Sequence, residues 1–422
     1  MWDKFSGFFQ LSLADRLSLL QRFCNISTEE MAVLQDSRGL PISQADRMVE
    51  NVIGTFPYPF GVALNFRVNA RDHIVPMVIE ESSVIAAASK AAKIALKNGG
   101  FTAQAPRSLT IGQVQLIKIP DETLARDAIL KNKNEILAIA NVCDPVLAQL
   151  GGGAVNLEIR SIQGSMGPML VVHLLVDTKD AMGANAVNTM VEAISPRLES
   201  LSGGEACLRI LSNLAIHRVV TASAVFGKEL LGGAEVIERF LWSCDFAEHD
   251  PFRAVTHNKG ILNGIVAVAQ ATGNDTRAIE AGAHAFAAYE HGYRPLTRYE
   301  KTEQGDLRGE IKIPLAVGRV GGITSIHPLA KVAWKILNVS NVTEFQEILA
   351  AVGLAQNFAA VLALVTEGIQ KGHMKLHATN IALTAGATSD EANHIVPQLI
   401  REGQISVTRA QQLLEAMRKN AR

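Results

Sequence analysis

The spacing of apolar and polar positions changes several times along the chain, and each change marks a new kind of element. Up to about residue 60 the pattern is helical. "ISQADRMVENVIGTF" (42–56) places Ala45, Met48, Val52 and Ile53 near one face, so a helix is expected there. The period then drops to two. "GVALNFRVN" (61–69) and "HIVPMVIEE" (73–81) read as strands joined by a short polar turn. "SSVIAAASKAAKIALKN" (82–98) reads as a helix, with serines to cap its start and Gly99-Gly100 to stop it.

Residues 109–212 are the most legible block. Strands are expected at 110–119, 155–162, 168–177 and 206–211, with a helix at 121–142 and a mostly helical 181–201. The order β-α-β-β-α-β is the split βαβ, or ferredoxin-like, pattern. The segments on either side read as parts of one larger unit, so the block is expected to be an insertion. The expected class is α+β. Residues 1–108 and 213–369 form a large mixed domain, 109–212 the small domain, and 370–422 a C-terminal tail. In the second large part, "LRGEIKIPLAV" (307–317) alternates as a strand, and 341–369 is an apolar-striped helix with a break expected near Gly353. The tail carries helices at 389–400 and 407–418, with Asp390 and Thr408 as caps. A small polar tail after a large core suits a mobile flap.

Composition narrows the class. The 422 residues are 48% hydrophobic and 19% charged, which supplies a large core and argues against disorder. A net charge of −1 gives no field for nucleic acid or an anionic membrane. Cys24, Cys143, Cys207 and Cys244 form no Cys-x-x-Cys pair, so zinc and thioredoxin-type readings fail and reduced thiols in the cytoplasm are expected. The N-terminus lacks the order of a signal peptide, and no uncharged apolar run reaches the roughly 20 residues of a membrane helix.

Candidate chemistry is scattered along the chain. In "RAVTHNKGILNG" (253–264), Lys259 stands before an apolar run with no further charge until Asp275. Glu80-Glu81 ends an apolar strand. It reads either as helix capping or as a general acid whose pKa burial and a neighbouring carboxylate would raise. Asp275 precedes a helix, as an N-cap or as the partner of a cation. "VDTKDAMGANAVN" is the best anion site: Asp180 can cap, Gly183 admits a close approach, and a helix N-terminus follows. An ordinary strand-to-helix turn has the same signature. His373 and His377 would share a helix face, but with no third ligand evident a proton donor is at least as good a reading, and no metal is expected. G-x-G-x-x-G, G-x-x-x-x-G-K-[ST] and G-x-S-x-G are missing, which disfavours Rossmann, P-loop and acyl-enzyme readings.

Six short motifs then occur in order: "ENVIG" (50–54), "PMVIEES" (76–82), "DAMGAN" (180–185), "THNKG" (256–260), "TGND" (272–275) and "GHMKLH" (372–377). Together they resemble 3-hydroxy-3-methylglutaryl-CoA (HMG-CoA) reductase of the soluble bacterial type, class II, from about residue 40 onward. The resemblance implies a large CoA-binding domain interrupted by a small nucleotide-binding one, a C-terminal flap, and a homodimer whose active sites use both subunits, with higher assembly left open. It implies interconversion of HMG-CoA and mevalonate plus CoA by two hydride transfers.

By the same resemblance, Lys259 polarises the thioester carbonyl, Glu81 supplies a proton at the aldehyde stage, Asp275 bridges the two, and His373 protonates the departing thiolate. Whether Lys259 or Glu81 delivers the final proton stays open. Arg253 would grip the substrate carboxylate, with Ser83, Asn213 and Asn263 assisting. Asp180, Met182, Gly183 and Asn185 would lie along the dinucleotide. Asp144 falls where NAD-preferring relatives hold the adenosine ribose, so NAD rather than NADP is expected. Two departures stand out: Ser82 replaces a proline that relatives often carry, and the loop 162–167 is short. Another CoA-thioester oxidoreductase would want a nucleophilic cysteine that no motif supplies. A catalytically inactive CoA- or nucleotide-binding protein would have no use for the intact set of Glu81, Lys259, Asp275 and His373.

Overall fold

The computed structural model describes residues 1–36, 39–366, 368 and 378–420. The architecture is α+β, built on two sheets. In chain order the strands are β1 (Phe60–Val68), β2 (Arg71–Val78), β3 (Phe101–Gln104), β4 (Leu109–Ile117), β5 (Gly153–Gly164), β6 (Gly167–Asp177), β7 (Glu205–Leu211), β8 (Val219–Phe226), β9 (Thr297–Lys301) and β10 (Leu307–Pro314). The first sheet runs β2-β1-β3-β8-β10-β9 and the second β5-β6-β4-β7.

The N-terminal helices are α1 (Leu13–Cys24), α2 (Thr28–Gln35) and the short α3 (Ile42–Ala45). The helix expected over 42–56 stops there. Asn51 takes a left-handed φ of 57°, Pro57 and Pro59 disfavour helix in the residues before them, and Ile53 is 102% exposed. Only the start of the apolar stripe is packed: Ala45 is buried, Met48 and Val52 are half-buried, and Ile53 is left open. β1 and β2 form a hairpin over Asn69-Ala70, both at positive φ, the geometry that matches strand twist in a two-residue turn. α4 (Val84–Leu96) follows, but its serine cap is missing: Ser83 sits at φ 74° and makes no side-chain cap bond.

Between β4 and β5 the single expected helix is two, α5 (Glu122–Lys131) and α6 (Lys133–Val142), followed by the unforeseen α7 (Pro145–Gln149). Asn132 makes the break. Its side-chain amide donates to the Ala128 carbonyl at 2.8 Å, a local bond that competes with the helix ladder. β5 and β6 join through a two-residue turn, Gly164 facing Gly167. α8 (Ala184–Ser202) packs on β4, where Gly112 leaves room: a Cβ there would stand 2.5 Å from Val191. Its buried face, Val187, Met190, Val191, Ile194 and Leu198, makes a core separate from that of the first sheet.

Against the first sheet lie α10 (Ala234–His249), α11 (Pro251–Ala271), α12 (Thr276–Ala288), α14 (Pro328–Leu337) and α15 (Val342–Val365), while the short α9 (Lys228–Leu231) packs on α10 and α13 (Ile323–Ile326) on α14. α15 is unbroken at Gly353. The glycine serves a close crossing instead: a Cβ there would meet Ile265 of α11 at 2.7 Å. By length and composition α15 could cross a membrane, but 78% of its most apolar window is buried inside the protein. Each fully buried Val, Leu, Ile or Phe of this core stabilises by roughly 1.5–3 kcal/mol. The tail forms α16 (378–384), α17 (Ser389–Glu402) and α18 (Val407–Asn420) around its own small core. Its caps are not the expected ones. Thr388, two residues before Asp390, makes a capping box with Glu391, and Ser406, not Thr408, accepts from the Arg409 amide. In both cases the hydroxyl lies three residues before the amide it caps, the geometry a cap requires.

Candidate active site

β2 delivers Glu80-Glu81 to the start of α4, and α11 packs against both elements. Lys259, midway along α11, thereby meets a residue 178 positions away: its Nζ donates to Glu81 Oε2 at 3.1 Å. The side chains are 61% and 41% exposed, so the burial expected around Glu81 is not found in the single chain. The space beside Gly260 is open: a Cβ there would meet nothing within 4 Å. Ser83, half-buried beside the pair, holds its left-handed φ without being glycine, and such strain clusters at functional sites. Asn263 lies one helical turn beyond Lys259 on the same face.

The opposite side of this helix turn is sealed. His257, 2% exposed, has its Nε2 2.6 Å from the Thr297 hydroxyl. Thr297 and Tyr299 both donate to Asn357 Oδ1, whose amide returns to the His257 carbonyl at 3.2 Å. Asn258 clasps the same region, donating to the Arg294 carbonyl and accepting from the Leu296 amide. Burial, with the Arg253 charge nearby, pulls His257 down to about 3. Arg253 itself lies roughly 120° around the helix from Lys259. The groups that feel its charge are His257 and Cys244, so the single chain turns it toward the sealed side.

Asp275 is placed differently from expectation. It caps α12, accepting from the amides of Arg277 and Ala278, and its carboxylate pairs with the Arg277 guanidinium at 3.1 and 3.2 Å. No bond joins it to Lys259 or Glu81 among the described residues. Burial works to raise its pKa, but the Arg277 guanidinium and the two amides outweigh it and hold it below the usual value. Asn213 is exposed, and its carbonyl lies against α12 where Gly282 makes room.

Asp180 is not the cap of α8. Gly183 occupies that position at φ 94°, and the helix start has no side-chain cap. Asp180 instead accepts from the Val342 amide at 2.8 Å, at the start of α15. The turn makes the difference: a Cβ on Gly183 would stand 2.1 Å from Thr178, so only glycine fits, and the first amides of α8 stay open. Met182 is half-buried and Asn185 exposed at that opening. Asp144 caps α7 by accepting from the Leu147 amide at 2.9 Å. His373 and His377 lie outside the described residues.

Residues 12–378 match the hydroxymethylglutaryl-coenzyme A reductase family. The chain belongs to that family. The reductase of Archaeoglobus fulgidus is 52% identical over 419 residues, spanning 99% of this chain and 95% of that protein. The solved structure of the Streptococcus pneumoniae reductase superposes with a TM-score of 0.84 at 42% identity, covering 98% of this chain and 99% of that one. A second structure from the same organism, described as the class II enzyme bound to NADPH in open conformations, aligns with a TM-score of 0.82 at 42% identity over 97% of this chain and all of that one. This reductase fold therefore brings two motif-bearing segments together in one chain, "PMVIEES" and "THNKG". It leaves "TGND" on its own arginine. Asn258 and Asn274 stand inside "THNKG" and "TGND" but drew no role from the sequence, and Arg218, outside every motif, was missed altogether.

Proposed function

We propose that the chain interconverts HMG-CoA and mevalonate plus CoA by two successive hydride transfers, with NAD(H) preferred over NADP(H). The observation that carries this reading is the Glu81–Lys259 contact. An ammonium and a carboxylate, brought together from distant segments and open to solvent, are ready for a substrate carbonyl. Lys259 would polarise the thioester carbonyl and stabilise the oxyanion that develops there. Glu81 would supply a proton at the aldehyde stage. The hydrogen bond between them lets either deliver the last proton. Asp275 would join by exchanging Arg277 for Lys259 when the site closes, and His373 would protonate the leaving CoA thiolate. Arg253, Ser83, Asn213 and Asn263 would hold the substrate.

The nicotinamide dinucleotide supplies and accepts hydride when bound. The uncapped start of α8 suits its pyrophosphate, because several amides and the positive helix end are free there. Asp180, Met182, Gly183 and Asn185 line that opening. The half-buried Asp144 carboxylate would accept from ribose hydroxyls and repel a 2′-phosphate. The NADPH of the Streptococcus pneumoniae structure favours the competing reading, use of NADP(H).

We further read the chain as a cytoplasmic homodimer with residues 109–212 as the nucleotide-binding domain and 370–422 as the flap. Ile53 and Phe56, three residues apart and 102% and 85% exposed, are where a partner surface would cover the chain. The test is to mix protein with mevalonate, CoA and either NAD or NADP and follow reduced-nicotinamide absorbance. Absence of signal with both cofactors, in both directions, overturns the assignment. The ratio of kcat/KM values decides the cofactor, and discrimination unchanged in Asp144→Ala removes Asp144 from the argument.

A further inference from the structure

The chain passes between the two sheets next to Arg218, just before β8, and that side chain is fully buried. Its guanidinium donates to the Val317 carbonyl at 2.6 Å, to the Met182 carbonyl at 3.2 Å and to the Thr110 hydroxyl at 3.3 Å. One side chain thus ties the segment after β10, the turn before α8, and β4. No carboxylate accepts from it among the described residues. Asp177, whose charge it feels, is taken by Arg107 at 2.5 Å and Lys179 at 3.1 Å. Burial, opposed by the Asp177 charge, pulls the guanidinium down to about 10, so it is still a cation at neutral pH. Burying a cation without a bonded counter-ion carries a desolvation cost, which its hydrogen bonds offset. What arginine adds is its planar fork of donors, which reaches three acceptors at once.

The same turn is fixed from its amide side. A Cβ on Gly318 would stand 2.3 Å from the Met182 nitrogen, so the two backbones touch. The Gly318 amide donates to Asn274 Oδ1 at 2.8 Å, and the Arg319 amide to the Asp180 carbonyl at 2.7 Å. Asn274 directly precedes Asp275. Two non-covalent contacts therefore separate Met182 from Asp275, through Gly318 and Asn274.

We propose that Arg218 and Asn274 are positioning residues that hold the Met182–Gly183 turn, and with it the open start of α8, in register with Asp275 across the seam. This rests on the reading that 180–185 receives the nicotinamide dinucleotide. Neither residue touches the reacting atoms. Their effect is to fix where the nucleotide sits relative to the proton-handling groups.

The test uses the full chain with Arg218→Met, Asn274→Leu and Asn274→Asp. NADH and NADPH are titrated by nicotinamide fluorescence, CoA by calorimetry, and thermal unfolding is followed in parallel. Arg218→Met should unfold below the wild-type midpoint, because two carbonyls and a hydroxyl lose their donor, so binding is read well below that midpoint. Its dissociation constant for the nucleotide should rise about 10-fold, the worth of one lost hydrogen bond, with CoA affinity unchanged. Asn274→Leu should show the same split, and Asn274→Asp, which keeps an oxygen for the Gly318 amide, should restore nucleotide binding. If Arg218→Met does not fold, the Asn274 pair decides alone. Folded variants that bind nucleotide as wild type does, or that lose both ligands together, overturn the proposal while leaving the reading of 180–185 standing. Wild-type protein that binds neither NADH nor NADPH overturns both.

Discussion

The Glu81–Lys259 contact and the seam around Arg218 are opposite ways to hold a charge. The first pair is made of two flexible side chains open to water, and an exposed ion pair of this kind contributes at most about 1 kcal/mol to stability. The second is a single cation sealed in the core, with its position set by two carbonyls and a hydroxyl. The open pair is free to exchange partners, as a group that meets a substrate must. The sealed one cannot move without opening the core. On the proposed reading, reactivity and registration fall to different parts of the molecule, and α11 shows the same contrast of exposure within one turn: Lys259 faces out while His257 and Asn258 are locked inside.

The largest effect should separate the two classes most sharply. Lys259→Ala should lower kcat about 10³-fold, as removal of a main oxyanion donor does, and leave the unfolding midpoint where it is. Near-normal turnover in that variant would refute the electrophile role. On the sealed side, the unfolded chain takes up a proton at His257 near pH 6.5, the folded chain only near 3. The stability it contributes is therefore full above about pH 6.5. It is lost as pH falls toward 3, at about 1.4 kcal/mol for each pH unit crossed between the two values. His73 and His173, also lowered by burial, act in the same direction. Urea midpoints at pH 7 and 5 should thus converge in His257→Gln relative to wild type. Equal slopes would mean that His257 is not what the acid opens.

Gly183→Ala tests the turn that joins the two regions. A left-handed φ and a Cβ 2.1 Å from Thr178 should cost about 1–3 kcal/mol, read by thermal unfolding, and raise the KM for nicotinamide more than that for mevalonate. Asp275 should give a smaller change in stability than Gly183. Asp275→Ala should cost about 1 kcal/mol as a lost cap, whereas Asp275→Asn keeps the cap. Turnover that survives Asp275→Asn would reduce this residue to a cap, and turnover that falls in a stably folded Asp275→Asn would give it a part in proton handling.

What could be read in the sequence was whatever repeats along the chain or stands next to its consequence. The unbroken apolar run of "PMLVVHLLVD", buried on both faces, and the apolar face of α8 specify a strand and a helix, because the neighbours that bury them are laid out at regular spacing. The two glutamates and Lys259 carried a chemical signature in their residue types. The seam did not. Nothing near Arg218 signals that it will be buried, because its three acceptors come from positions 110, 182 and 317 and are mostly backbone oxygens, which every residue owns. Asp180 misled for a related reason. A carboxylate before a helix is usually a cap, but the left-handed Gly183 turn aims it at a different helix. The stripe at 42–56 failed because periodicity reports an apolar face and not the surface that covers it.

β4 and β7, the first and last strands of the 109–211 segment, are neighbours in one sheet, with Gly112 facing Leu211, only about 5 Å apart. To the rest of the chain, roughly a hundred residues thus present themselves as a two-point attachment no wider than a hairpin. Little closing entropy is charged to the host for the length of the excursion. The larger sheet can pair β3 with β8 as though they were nearly consecutive, whatever is built between them.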